Sequence, residues 1–178
     1  AILPDLKAHF ERAYLCPPPS TLEWLQHDPS IFRDDFFTIF PLDEETRVGK
    51  RFAYLYRRTA ETAPPAQPIH LCIADRLTFA LSTEHRESFL ADVDSLSAEE
   101  IPIIFQRPEY AWSTHPKGYR TIEEIVNTVG LNLFGRKLDY SWCHMVATAE
   151  QLGRIIPFVK NPGISMVAEM VYYLKNEL

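Results

Sequence analysis

Asp75 and Arg76 have the residue types and the position in the sequence that a ligand site requires. They follow a mostly apolar run, residues 69–74, which begins after Pro68. A short apolar run that ends in charge is typical of a buried strand, and open α/β sheets bind their ligands where such strands end. There a carboxylate can hold a divalent cation that bridges diphosphate oxygens, and an arginine can pair with phosphate. The alternatives are that Asp75 caps the following segment and that the two side chains form a local ion pair.

Two further groups of charged residues could bind an anion or a metal. Gly49, Lys50 and Arg51 stand at the predicted start of a helix, where backbone amides and cations can bind phosphate. The alternative is a solvated basic face, because the spacing is not that of a Walker motif. Asp92 and Asp94 have the D-x-D spacing of metal ligands, but the pattern around them favours a solvated helix end.

The histidines of interest are His115 and His144. His115 lies with Trp112 in the aromatic-rich segment 108–118, and loops of this composition frequently bind ligands. His144 follows Cys143, but neighbours on a strand point to opposite faces, so we expect a buried structural histidine and not a catalytic dyad. The chain has no G-x-S-x-G, HExxH or glycine-rich dinucleotide motif, which excludes the commonest hydrolases, zinc peptidases and dinucleotide-dependent oxidoreductases.

Short apolar strands that alternate with amphipathic helices must position these residues. We predict strands over residues 36–40, 69–75 and 101–105, a strand or a turn into a strand over residues 138–146, and helices before, between and after them. This alternation indicates the α/β class: a mixed, mostly parallel sheet of four or five strands with helices on both faces. Residues 1–178 are expected to form a single domain, in which residues 1–30 are a helical lead-in.

Composition limits the partners and the compartment. The chain has 178 residues and a net charge of −6, so we expect one domain that does not bind nucleic acid through a basic face. Its three cysteines lack the spacing of a metal site and indicate reduced thiols in a cytoplasmic protein. No apolar run is long enough to predict a membrane span.

Taken in order, several segments resemble the family-two glycosyltransferases of the GT-A type. Residues 48–53 are similar to the family's Gly-Lys-Gly-x-Ala segment, and Asp75 stands where the family has Asp-x-Asp. Arg107 ends a segment similar to Gly-x-Arg, residues 134–139 resemble the Phe-Gly segment with its later aspartate, and Glu169 matches a late glutamate. The second acid of Asp-x-Asp and the family's uridine-binding acidic turn are missing.

The resemblance implies an incomplete GT-A or Rossmann-like fold that binds a nucleotide-sugar donor and transfers the sugar to a hydroxyl acceptor. It implies that Asp75 holds Mg²⁺ or Mn²⁺. The cations expected to bind the diphosphate are Lys50, Arg76 and Arg107. Asp139 is the candidate general base, with His115 as a further catalytic residue that lines the acceptor side together with Trp112.

The missing acids leave an alternative of another class, a non-catalytic protein-interaction module. The negative charge, the proline-rich connector at residues 16–19 and the aromatic segment 110–119 are all suited to a protein-binding surface. Its partner would be another protein or a second copy of the chain.

Overall fold

The computed structural model describes residues 2–27, 34–42, 45–96, 100–113, 116–142 and 144–178. Within these ranges helices and strands are mixed along the chain. The helices are α1 (Leu3–His9), α2 (Pro19–Gln26), α3 (Val48–Thr62), α4 (Ala74–Ser82), α5 (Arg86–Asp94), α6 (Glu109–Ser113), α7 (Lys117–Phe134), α8 (Ala149–Ile155) and α9 (Met166–Leu174). The strands are β1 (Ala13–Leu15), β2 (Phe37–Ile39), β3 (Pro68–Cys72), β4 (Ile103–Ile104) and β5 (His144–Thr148).

The central sheet has the strand order β3–β5–β4, and β5 runs antiparallel to both neighbours. Strands β1 and β2 form a separate parallel pair. The predicted mixture of helices and strands is therefore confirmed, whereas the prediction of a mostly parallel sheet is wrong. A buried strand is an apolar run whatever its direction, so the pattern of residues did not contain the direction of β5.

Helices cover both faces of the central sheet. Ile69 and Leu71 of β3 and Met145 of β5 point into the main hydrophobic core, which α3, α8 and α9 complete. The opposite face carries His70 and His144, whose rings contact Phe10, the residue after α1, and Phe89 of α5, respectively. Successive side chains along β3 and β5 point to opposite faces of the sheet, so the two histidines lie on the face away from the main core.

The N-terminal lead-in contains a strand as well as helices. Residues 1–30 were expected to be helical, but α1 ends at His9 and the strand β1 follows it. β1 pairs with β2, and Tyr14 stacks on Phe40 with 6.0 Å between the ring centroids. Pairing with β2 outweighs the local helical spacing, since tertiary contacts routinely override helix propensity.

Candidate functional site

One edge of the central sheet collects segments that are distant in the sequence. β3 ends opposite His144, the first residue of β5, and the amide of Phe105, just after β4, donates to the carbonyl of His144 at 3.1 Å. The carboxyl ends of β3 and β4 therefore lie beside the amino end of β5. The segments that carry Asp75, Arg107 and Asp139 all adjoin this edge.

Arg107 and Asp139 form a bidentate ion pair, in which Nε lies 2.6 Å from Oδ2 and Nη2 lies 2.8 Å from Oδ1. Their side chains are only 11% and 5% exposed, and Arg107 Nη1 also donates to Glu123 Oε2 at 2.6 Å. Burial disfavours the charged guanidinium, but the hydrogen bond to Asp139 and the two carboxylate charges outweigh it, so the pKa of Arg107 is raised. Arg107 therefore stays charged at neutral pH.

Further donors surround the Asp139 carboxylate. The backbone amide and the hydroxyl of Ser141 donate to Oδ1 at 3.2 and 3.1 Å, and the side-chain amide of Asn127 lies 3.4 Å from the same oxygen. The Asn127 side chain also accepts the backbone N–H of Tyr140 at 2.8 Å. Because Arg107 donates to both oxygens of Asp139, the predicted role of Asp139 as a general base requires that Arg107 first withdraw.

Trp112 covers the ion pair. It lies in α6, the short helix formed by part of the predicted binding loop, and the Arg107 guanidinium lies over its ring at 4.1 Å from the centroid. This is a cation–π contact with a partly buried arginine. The structure thus brings three of the residues chosen from the sequence together, while His115 lies outside the described residues.

Asp75 and Arg76 lie in a helix and not at the end of a strand. β3 ends at Cys72 and α4 begins at Ala74, which places both residues, exposed, in the first turn of α4. Asp75 Oδ1 accepts the amide of Arg76 at 2.8 Å, and a first-turn carboxylate is favourable with the helix dipole. The end of the strand was predicted three residues late, because an apolar run does not mark where an extended backbone becomes helical.

At the start of α3, where a phosphate site was weighed against a solvated basic face, the backbone amide of Gly49 is already engaged. The amide of Gly49 donates to the carbonyl of Pro162 at 3.1 Å, and a Cβ atom on Gly49 would come within 2.2 Å of the carbonyl oxygen of Gly163. A glycine is needed here because another backbone segment approaches closely. Lys50, the next residue, is exposed on α3.

A histidine pair at the same sheet edge was not predicted. Nδ1 of His70 lies 3.1 Å from Nε2 of His144, and Phe105 stacks on the His144 ring at 4.2 Å. Burial lowers the pKa of His70 to about 4, and burial together with His70 lowers the pKa of His144 to about 3. Both rings are therefore neutral at pH 7. His144 is buried, as predicted, but its pairing required the register of β3 against β5.

Glu123 and Asn127 were also missed, although one signal in the sequence pointed to them. They are four residues apart on α7, so they share a helix face, and that face is turned toward Arg107 and Asp139. Two polar residues at this spacing, within a helix otherwise rich in apolar residues, could have indicated a polar contact with another segment.

Ligand recognition has to be inferred from the chemistry of these residues. Among the described residues, no group of three or more histidine, cysteine, aspartate or glutamate side chains could hold a metal ion. None of the described helices is both long enough and apolar enough to cross a membrane. Comparison with known protein families, curated proteins and solved structures gives no match to the chain.

Proposed function

We propose that the chain is a divergent glycosyltransferase-like domain that binds a sugar nucleotide where β3 and β4 end. The observation that supports this most is the convergence of Arg107, Asp139 and Trp112 at one sheet edge. An aromatic ring offers an apolar face to a sugar, and carboxylates such as that of Glu123, whose side chain is 23% exposed, accept hydrogen bonds from sugar hydroxyls. The cluster is therefore suited to the sugar and to the acceptor side.

The diphosphate would lie nearer to the start of α4, where Asp75 and Arg76 are exposed. Magnesium sites that hold nucleotides commonly use one or two protein carboxylates, with substrate phosphates as the other ligands. A single carboxylate at Asp75 fits that arrangement. We therefore expect Mg²⁺ or Mn²⁺ to bind together with a nucleoside diphosphate and not to the protein alone, with Arg76 and Lys50 as cations for the phosphates.

Sugar transfer needs a base for the acceptor hydroxyl, and Asp139 is the proposed base. The bond between the anomeric carbon and the diphosphate oxygen breaks, a bond to the acceptor oxygen forms, and the hydroxyl proton passes to the carboxylate. In the absence of ligand, Arg107 neutralises this carboxylate. We expect the diphosphate leaving group to attract Arg107 and so release Asp139, which would couple activation of the base to donor binding.

A thermal-shift measurement with UDP and Mn²⁺ tests the donor site. Ligand at a hundred times its dissociation constant should stabilise the protein by about 2.7 kcal/mol and raise its melting temperature by roughly 5–10 °C. Asp75→Asn should remove most of this shift. Glu150→Gln is the matched control, because Glu150 is also a first-turn helix acid. An equal shift in both variants would exclude Asp75 as a ligand, and no shift in the unchanged protein would refute the proposal.

A non-catalytic interaction module is the second candidate function. The observation that favours it is the outer surface of α7, where Ile122, Ile125, Val129 and Leu133 are 62%, 58%, 49% and 69% exposed. Exposed apolar side chains that are contiguous on one surface commonly mark an interface. Absence of nucleotide binding, combined with self-association through α7, would favour this function over the first.

A further inference from the structure

Helix α7 packs against the rest of the molecule with a face of mixed polar and apolar residues, and it leaves an apolar stripe exposed. Its inward face carries Glu123 and Asn127, which contact Arg107 and Asp139, and Gly130, which packs tightly on the ring of Tyr140. The name α7 stripe is used below for four residues on another side of the helix: Ile122, Ile125, Val129 and Leu133. All four are about half exposed or more.

The side of α7 beside the stripe carries Glu124, which lines the same shallow depression as Ile125 and Val129. Between the stripe residues lie polar but uncharged side chains, namely Thr121, Thr128 and Asn132. Glu124 and the inward-facing Glu123 are both paired within the chain. Arg120 donates to Glu124 at 2.6 Å, and Glu123 accepts from Arg107 at 2.6 Å. An occupant of the stripe therefore does not have to supply compensating charges.

The stripe is self-complementary when a second helix runs antiparallel to it. Its residues are separated by three, four and four positions, so the pattern is nearly the same when read in reverse. In an antiparallel pair related by a two-fold axis, Ile122 meets Leu133 of the other copy and Ile125 meets Val129. Such mutual contacts define an isologous interface, and C₂ dimers are the commonest oligomers.

We propose that α7 is a dimerisation helix, which packs antiparallel against α7 of a second copy of this chain. The stripe is about 16 Å long, and a shallow depression of about 240 Å³ beside Ile125 and Val129 can receive side chains of the partner helix. The antiparallel arrangement also opposes the two helix dipoles favourably. This inference develops the second candidate function and does not depend on nucleotide binding.

The area available is sufficient for a modest but specific dimer. The stripe residues, with Tyr172 of α9 beyond Leu133 at the end of the helix, expose roughly 500 Å² per chain, so that two copies would bury on the order of 1,000 Å², near the lower limit for specific interfaces. We therefore expect a dimer that dissociates in the micromolar range and is not permanent.

Sedimentation velocity over a range of protein concentrations tests the proposal. The unchanged protein should show a monomer–dimer equilibrium. Ile122→Glu and Leu133→Lys should each weaken it at least tenfold, because each places two unpaired charges in the interface. Ile164→Glu is the matched control, since Ile164 is 52% exposed and lies in a turn outside α7, and it should dimerise normally.

The double variant Ile122→Glu/Leu133→Lys tests the antiparallel arrangement itself. Each glutamate would face a lysine of the other copy, so dimerisation should recover relative to either single variant. Circular dichroism should show unchanged helix content throughout, because both positions are exposed. A double variant no better than the single ones would overturn the antiparallel pairing, and an unchanged protein that stays monomeric at high concentration would overturn the dimer. Neither result would alter a thermal shift produced by UDP.

Discussion

At the scale of single residues, the ion pair of Arg107 and Asp139 links the structure of the site to its proposed chemistry. Both side chains are largely buried, and each has further hydrogen-bond partners. A buried pair of this kind is costly to break, since the remaining charge has no solvent to stabilise it. The pair therefore holds the segment after β4 against the segment before β5, and Glu123 and Asn127 join α7 to it.

Removing either partner should destabilise the protein strongly. We expect Arg107→Ala or Asp139→Ala to lower the free energy of unfolding by about 3 kcal/mol, as measured by urea denaturation at pH 7. The double variant should lose less than the sum of the two, because the second change removes the stranded charge. Arg154→Ala is the control, since its pair with Glu177 is exposed and should contribute about 0–1 kcal/mol. Equal effects at Arg107 and Arg154 would contradict this account.

The sequence predicted the members of this cluster better than their arrangement. Arg107 and Asp139 were chosen because they end segments that resemble family motifs, and Trp112 because it lies in an aromatic-rich segment. Arg107 contacts both of the others. Their mutual pairing was not predicted, because separations of up to thirty-two residues carry no local signal. Asp75 was chosen by the same reasoning, but its role as a metal ligand stays a prediction.

At the scale of elements, the backbone at the start of α3 lies in close contact with the backbone of the segment after α8. Gly49 abuts the carbonyls of Pro162 and Gly163. Glu169 of α9 accepts the backbone amides of residues 160 and 161 at 2.8 and 3.1 Å, which fixes the same segment from the other side. The late glutamate that suggested a catalytic family is thus engaged with the backbone of this loop.

Gly49→Ala and Gly153→Ala should have opposite effects on stability. A Cβ atom at Gly49 would overlap backbone atoms that cannot easily move, so we expect a loss of about 1–3 kcal/mol in the free energy of unfolding. At Gly153, inside α8, the nearest side-chain atom would be 3.7 Å away, so alanine should stabilise the helix by about 0.5–1 kcal/mol. Urea denaturation of both variants checks the difference in sign, and a stabilising Gly49→Ala would show that this contact is not tight.

Helix α7 and strand β5 illustrate which element properties can be predicted from sequence. The apolar spacing of α7 is that of a helix, and the helix ends before Gly135, whose positive φ of 68° suits glycine. The same spacing could not indicate that Ile122 and Ile125 face outward, since periodicity identifies an apolar face but not what covers it. Likewise, β5 was predicted as strand-like without its antiparallel direction.

At the scale of the whole molecule, the strand order β3–β5–β4 gives the chain one chemically distinctive edge. The strands come from three parts of the sequence. At or beside that edge lie the Asp75 carboxylate, the ion pair of Arg107 and Asp139, and the neutral pair of His70 and His144. The outer surface of α7 offers a separate apolar stripe, so ligand binding and self-association would use different parts of the molecule.

The most direct test of the proposed site is to locate nucleotide binding by ¹H–¹⁵N NMR with UDP and paramagnetic Mn²⁺. We predict that Mn²⁺ with UDP broadens the backbone amides of residues 74–76 first and shifts the Nε–H resonance of Arg107, while Mn²⁺ alone leaves both unchanged. Amides on α9 serve as the internal reference. Absence of any change with UDP and Mn²⁺, or broadening confined to residues away from the sheet edge, would contradict the account.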